Sequence, residues 1–170
     1  MISRPQPDEY PVFAETYVSM VPQGADVMRI LVDAQASSYD LFTSLNERQA
    51  QYAYAEGKWT VKQVLGHMAD TERFFGFRAF VFSREQTSLP GFEQDVYVNN
   101  TNYNSRTLQS LAEEFKVTRE ANLFVFGNLT DEQINCEGTA SGNRVTVRAL
   151  IYMAAGHEMH HLRILKERYL

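Results

Sequence analysis

A chain of 170 residues with a formal net charge of −5 fits one domain, and at this size roughly 70% of the unfolded surface can be buried, so neither a disulfide nor a metal is needed merely to hold the fold. It carries no Lys/Arg cluster or basic stripe for a nucleic-acid backbone, and no uncharged apolar run reaches the ~20 residues of a membrane-spanning helix. Its single cysteine, Cys136, cannot close an internal disulfide and its first residues lack a basic and then apolar leader pattern, so a cytoplasmic protein is expected, with a small molecule as its partner.

Residues 1–24 read as an extended lead-in, because Pro5, Pro7, Pro11 and Pro22 interrupt any helical period; its aromatics Tyr10, Phe13 and Tyr17 are expected to pack on the domain formed by residues 25–170. From 25 to 45, Val27, Met28, Leu31, Ala34, Leu41 and Phe42 recur at helical intervals and predict a first long helix. Gly57 breaks that pattern. Thr60 followed by Gln63 is a capping-box signature, and it starts a second helix over about 61–84. One stripe of that helix holds Val64, His67, Thr71, Phe74, Phe75 and Arg78, which turns His67 inward.

Residues 86–106 include Pro90, Gly91, Asn99, Asn100, Asn102 and Asn104, too many turn formers for a helix and too long a stretch for a tight turn. They are read as a crossover loop, with Phe92, Tyr97 and Tyr103 as candidates to line a site. A third helix follows over 108–126, then a short turn capped by Thr130 and Gln133. Residues 138–144 suggest a turn or small hairpin, after which Thr146 caps the last helix. Val147, Leu150, Ala154, His157, His161 and Leu165 share one of its stripes, with His160 at the edge. The fold class is all-α: a four-helix bundle with a long crossover between helices 2 and 3. No alternating strand pattern competes with it.

Three of the four histidines fall in the stretch GHEMHH, residues 156–161. Helical residues four apart lie on one face with Cβ atoms about 6 Å apart, so His157 and His161 can aim both imidazoles at one point. Burying two such rings without a partner leaves polar atoms unsatisfied, whereas a metal ion accepts both lone pairs. A bundle core takes ligands from facing helices, so His67 can supply a third nitrogen and leave a coordination position open. The H-E-x-x-H spelling of 157–161 also matches zinc peptidases, but no downstream third ligand fits, since Glu167 lies on another face. A di-iron carboxylate site needs a second E-x-x-H pair, and Glu158 with His161 is the only one.

The run KWTVKQVLGHMADTERFF (58–75) and the terminal GHEMHHLRIL (156–165) resemble the second-helix and last-helix signatures of the DinB-like (DinB/YfiT) superfamily of metal-dependent proteins. The resemblance implies a four-helix bundle holding a divalent metal, zinc or nickel, on His67, His157 and His161, with His160 outside the ligand set. It also implies a homodimer and a metal-dependent transferase that activates a low-molecular-weight thiol; a non-catalytic binding bundle or a metal-dependent hydrolase are the alternatives. Where many relatives carry a Gln one turn after the last histidines, this chain has Ile164 and Leu165.

Other residues are weighed on position alone. Asp70 lies one turn beyond His67 and is a candidate to orient its imidazole. Glu158 is a candidate general base, although it points about 100° from His157 around the helix. Arg78 is a candidate contact for an anionic substrate, or else an ion-paired or snorkelling side chain. Trp59 is expected to act as a hydrophobic staple.

Overall fold

The computed structural model describes every residue from Met1 to Leu170, and four long helices dominate it. We label them α1 (Val27–Ser44), α2 (Val61–Phe82), α3 (Leu108–Gly127) and α4 (Val147–Arg168). Each begins where a side chain accepts from an otherwise orphaned N–H of the first turn: Asp26 for α1, Thr60 for α2, Thr107 for α3 and Thr146 for α4. At Thr60 the box is reciprocal, with Gln63 accepting from the Thr60 N–H at 2.9 Å.

The apolar residues sort into two clusters at opposite ends of the bundle. One gathers Val27 and Leu31, Phe75 to Phe82, Phe126 and the α4 residues Val147 to Ala155; the other gathers Phe42, Val61 to Ala69, Leu108 to Phe115, and Leu165. It follows that α1 and α4 run in one direction and α2 and α3 in the other. Both α1 and α2 pack on α3 and on α4, which puts α1 diagonally across from α2. Because α2 and α3 are parallel neighbours, the chain between them must travel back along the bundle, and residues 83–107 make that crossover. Where the clusters meet, each helix turns polar: Ser38 on α1, His67 and Glu72 on α2, Arg119 and Asn122 on α3, and His157 and Glu158 on α4 are all buried.

Strands are present where the sequence suggested at most a small hairpin. β1 (Ser88–Leu89) pairs in parallel with β2 (Glu137–Ala140), which pairs antiparallel with β3 (Asn143–Thr146). The β2–β3 pair is the small hairpin expected over 138–144, whereas the two residues of β1 are too few to leave an alternating signal. The β2–β3 connection is a two-residue turn with positive φ at Ser141 (52°) and Gly142 (77°), the primed geometry that matches strand twist. The crossover also winds a short helix, Gln94–Asn99.

The lead-in departs from a purely extended path. Ten residues without proline separate Pro11 from Pro22, and they wind a 3-10 turn and the short helix Glu15–Val18. Tyr10, Ala14, Val18 and Val21 join the bundle core. The helix can lie this close to α4 because residue 156 is glycine: a Cβ there would sit 1.9 Å from the Tyr17 carbonyl oxygen.

Candidate metal centre

Two helices running in opposite directions carry the cluster. His67 comes from α2, and His157 and His161 come from successive turns of α4. The His157 Nε2 lies 3.1 Å from the Nε2 of His67 and 3.1 Å from that of His161. One ligand atom from each of the three falls within 4.8 Å of the others. Tetrahedral ligands at the usual Zn–N length of ~2.05 Å stand about 3.3 Å apart, close to the two 3.1 Å separations made by His157.

Electrostatics agree with the geometry. Burial holds the His67 pKa down to about 4, well under the ordinary histidine value of 6.5. Burial, reinforced by the neighbouring imidazoles, pushes His157 and His161 well below 6.5 too. Three neutral rings with converging lone pairs are poor company for one another and good company for a cation. These residues fit a divalent metal bound through three nitrogens.

The walls are mainly aromatic. Trp59 packs its ring 4.8 Å from that of His67, going beyond its expected role as a staple; Tyr17 meets His157 edge-on at 5.3 Å, and Phe75 does so at 5.8 Å. Thr71, one turn beyond His67, brings its Oγ1 to 3.5 Å from that ring. His160 lies outside the triad against Tyr17, with its Nδ1 buried and unpartnered. Two clefts flank the cluster. The first, about 290 Å³, touches His67, His157, Thr71, Phe75 and Arg78; the second, about 350 Å³, touches His161, Trp59, Lys58 and Asp95; Gln94 lines both.

The other residues singled out from the sequence divide sharply. Arg78 does reach the cleft. Glu158 faces away from it: Arg119 Nη1 donates to Glu158 at 2.6 Å, Ser38 Oγ also donates to it, and the carboxylate is almost fully buried among the helices. Asp70 accepts from the Tyr103 hydroxyl and, at 3.4 Å, from Arg73; its carboxylate therefore serves the crossover and not the His67 ring. Burial raises its pKa, against the opposing pull of those two partners. Tyr103 is thereby a loop anchor, buried with Val64 and Leu65. Tyr97 stays half-exposed, edge-on to Phe74 and Phe92, and only Phe92 of this group lines the cleft.

The sequence marks Tyr17 only as a packing aromatic and Thr71 only as a member of the helical stripe. Thr71 was visible on the His67 stripe. Tyr17 could be found only through Gly156, whose missing side chain lets the lead-in reach the site.

A family model of the DinB superfamily matches residues 30–165. A protein of Oceanobacillus iheyensis, OB0413, which is called a metal-dependent hydrolase by name and not by demonstrated activity, is 25% identical over 125 residues, 72% of each chain. Among solved structures, YfiT from Bacillus subtilis, described on inference as a metal-dependent hydrolase with an unusual four-helix bundle topology, superposes with a TM-score of 0.77 at 15% identity, covering 90% of this chain and 95% of that one. A DinB-like protein of the same organism, YjoA, gives a TM-score of 0.60 at 22% identity over 83% of this chain and 87% of its own. Since the family model spans all four helices, from within α1 to near the end of α4, this chain belongs to the DinB superfamily.

Proposed function

We propose that the chain is a divalent-metal-dependent enzyme in which His67, His157 and His161 hold zinc or nickel and a low-molecular-weight thiol is activated for transfer to a small electrophile. The observation that carries the metal is the convergence on one point of three neutral imidazoles, His67 and His157 buried and His161 partly so. When bound, the ion supplies Lewis acidity at the position that three protein ligands leave open, lowering the pKa of a thiol or water placed there. Trp59, Tyr17 and Phe75 pack against the imidazoles and hold their orientation.

Two features favour a thiol. A thiol beside a cation loses its proton outright, whereas water activation benefits from a nearby base, and Glu158 and Asp70 are both engaged elsewhere. The two clefts meeting at Gln94 give separate room to two reactants. Hydrolysis is the second reading. It is supported by the names of OB0413 and YfiT and by Glu93, a carboxylate on the wall of the first cleft.

The direct test is metal analysis of the native protein beside His67→Ala. About one ion per chain is expected in the native protein and a large loss in the variant; unchanged stoichiometric metal would remove the three-histidine site. Metal-loaded protein is then offered thiols with a panel of electrophiles, and separately activated esters alone. Metal-dependent thiol consumption supports transfer; metal-dependent ester cleavage without thiol supports hydrolysis.

A further inference from the structure

We infer that the first cleft takes a substrate bearing a carboxylate, and that Arg78 binds this group at the end remote from the histidines. The reacting end of that substrate rests on the metal reading above; the anionic end does not.

His67, Thr71, Phe75 and Arg78 are spaced four, four and three residues apart on α2 and line one wall of the same cleft. Eleven residues of helix separate the Cα atoms of His67 and Arg78 by about 16 Å, and helical side chains lean toward the N-terminus, so the guanidinium reaches back toward the histidines. A ligand joining the two ends spans on the order of 10 Å. The cleft also presents apolar surface from Phe75, Phe92 and Met153, beside the polar Thr71, Glu93 and Gln94.

Arg78 is 8% exposed. Its Nη2 donates to the Pro90 carbonyl at 3.1 Å and to Ser141 Oγ at 3.3 Å, while its Nε is buried with no partner at all. No carboxylate balances it. Burial alone acts on its pKa, lowering it, and Glu93, exposed on the cleft wall, forms no ion pair with it. The molecule holds its own comparison: Arg119, the other deeply buried guanidinium, is paired with two carboxylates, Glu72 and Glu158. Buried cations are ordinarily paired because desolvation is costly, and a guanidinium with N–H groups still free on Nε and Nη1 can donate to a carboxylate. Phe74, 5.4 Å from the guanidinium carbon, supports one face of the group without neutralising it. A cation left unpaired in a slot that carries both apolar and polar surface is complementary to an acid with an apolar body.

The test compares 4-phenylbutyrate with its neutral amide, by calorimetry and by the arginine Nε–Hε resonances of 15N-labelled protein, in metal-loaded and chelator-stripped samples. The acid is expected to bind at least about tenfold more tightly than the amide in both samples, the size of one charge-assisted contact, and to shift the Arg78 resonance. Arg78→Met should abolish the preference and Arg78→Lys should keep part of it. Because Arg78 also tethers the β2–β3 turn, Ser141→Ala serves as the control, and it should retain the preference. Equal binding of acid and amide, an unmoved Arg78 resonance, or loss of the preference in Ser141→Ala as complete as in Arg78→Met would overturn the inference. A preference confined to loaded protein, lost in His67→Ala and intact in Arg78→Met, would place the acid on the ion and overturn it while leaving the metal site standing. A preference that depends on Arg78 in stripped protein upholds it even if the metal reading fails.

Discussion

Arg119 has no exposed surface and holds two carboxylates from different helices, Glu72 of α2 at 2.8 Å through two nitrogens and Glu158 of α4 at 2.6 Å. Burial alone would lower its pKa, but the two carboxylates outweigh that and raise it, so it remains a cation throughout. Removing it strands two buried anions. Arg119→Met is therefore expected to cost about 3–5 kcal/mol and to lower Tm by roughly 10 °C or more, read by calorimetry. Glu158→Gln keeps the shape and removes one charge; it is expected to melt earlier than the native protein yet to bind metal with unchanged stoichiometry, which elemental analysis checks. Loss of the ion in that variant would return Glu158 to the site. Helical period alone told that Glu158 points about 100° from His157, and that direction leads to Arg119. What it could not tell was the partner, since the contact joins residues 39 apart in sequence.

At the scale of elements, the helix starts were readable because capping chemistry is local: Thr60 with Gln63, and Thr146, act within one turn. The pairing of β1 with β2 and the Glu15–Val18 helix were not, because the first joins residues about 50 apart, and both segments are too short to establish a repeating pattern. The lead-in is held to α4 by a contact that any side chain at 156 would break. In Gly156→Ala the new methyl would meet the Tyr17 backbone carbonyl, which cannot swing aside as a side chain can. The expected result is a loss of about 1–3 kcal/mol with helical circular dichroism retained. Accessibility of the site should rise with it, measured as faster removal of metal by a chelator. Unchanged Tm and unchanged metal release would show that the lead-in does not guard the cluster.

Over the whole molecule, the three imidazoles tie stability to pH. Their folded-state pKa values lie below the ordinary 6.5, so in metal-free protein the unfolded chain takes up protons first as pH falls. Stability is then lost between pH 6.5 and about 4, by on the order of 3 kcal/mol from His67 alone, with His157 and His161 acting in the same sense. Urea midpoints of stripped protein at pH 7.5, 6 and 5 should fall in that order; a flat series would mean that the rings are not buried as neutral groups. The three histidines ride on α2 and α4, while Phe92, Glu93, Gln94 and Asp95 of the crossover complete the clefts. In the proposed enzyme, reactivity and selectivity would thus be inherited on separate pieces of chain. A chimera that receives residues 86–106 from another bundle of this kind would admit different molecules and still keep its ion in place.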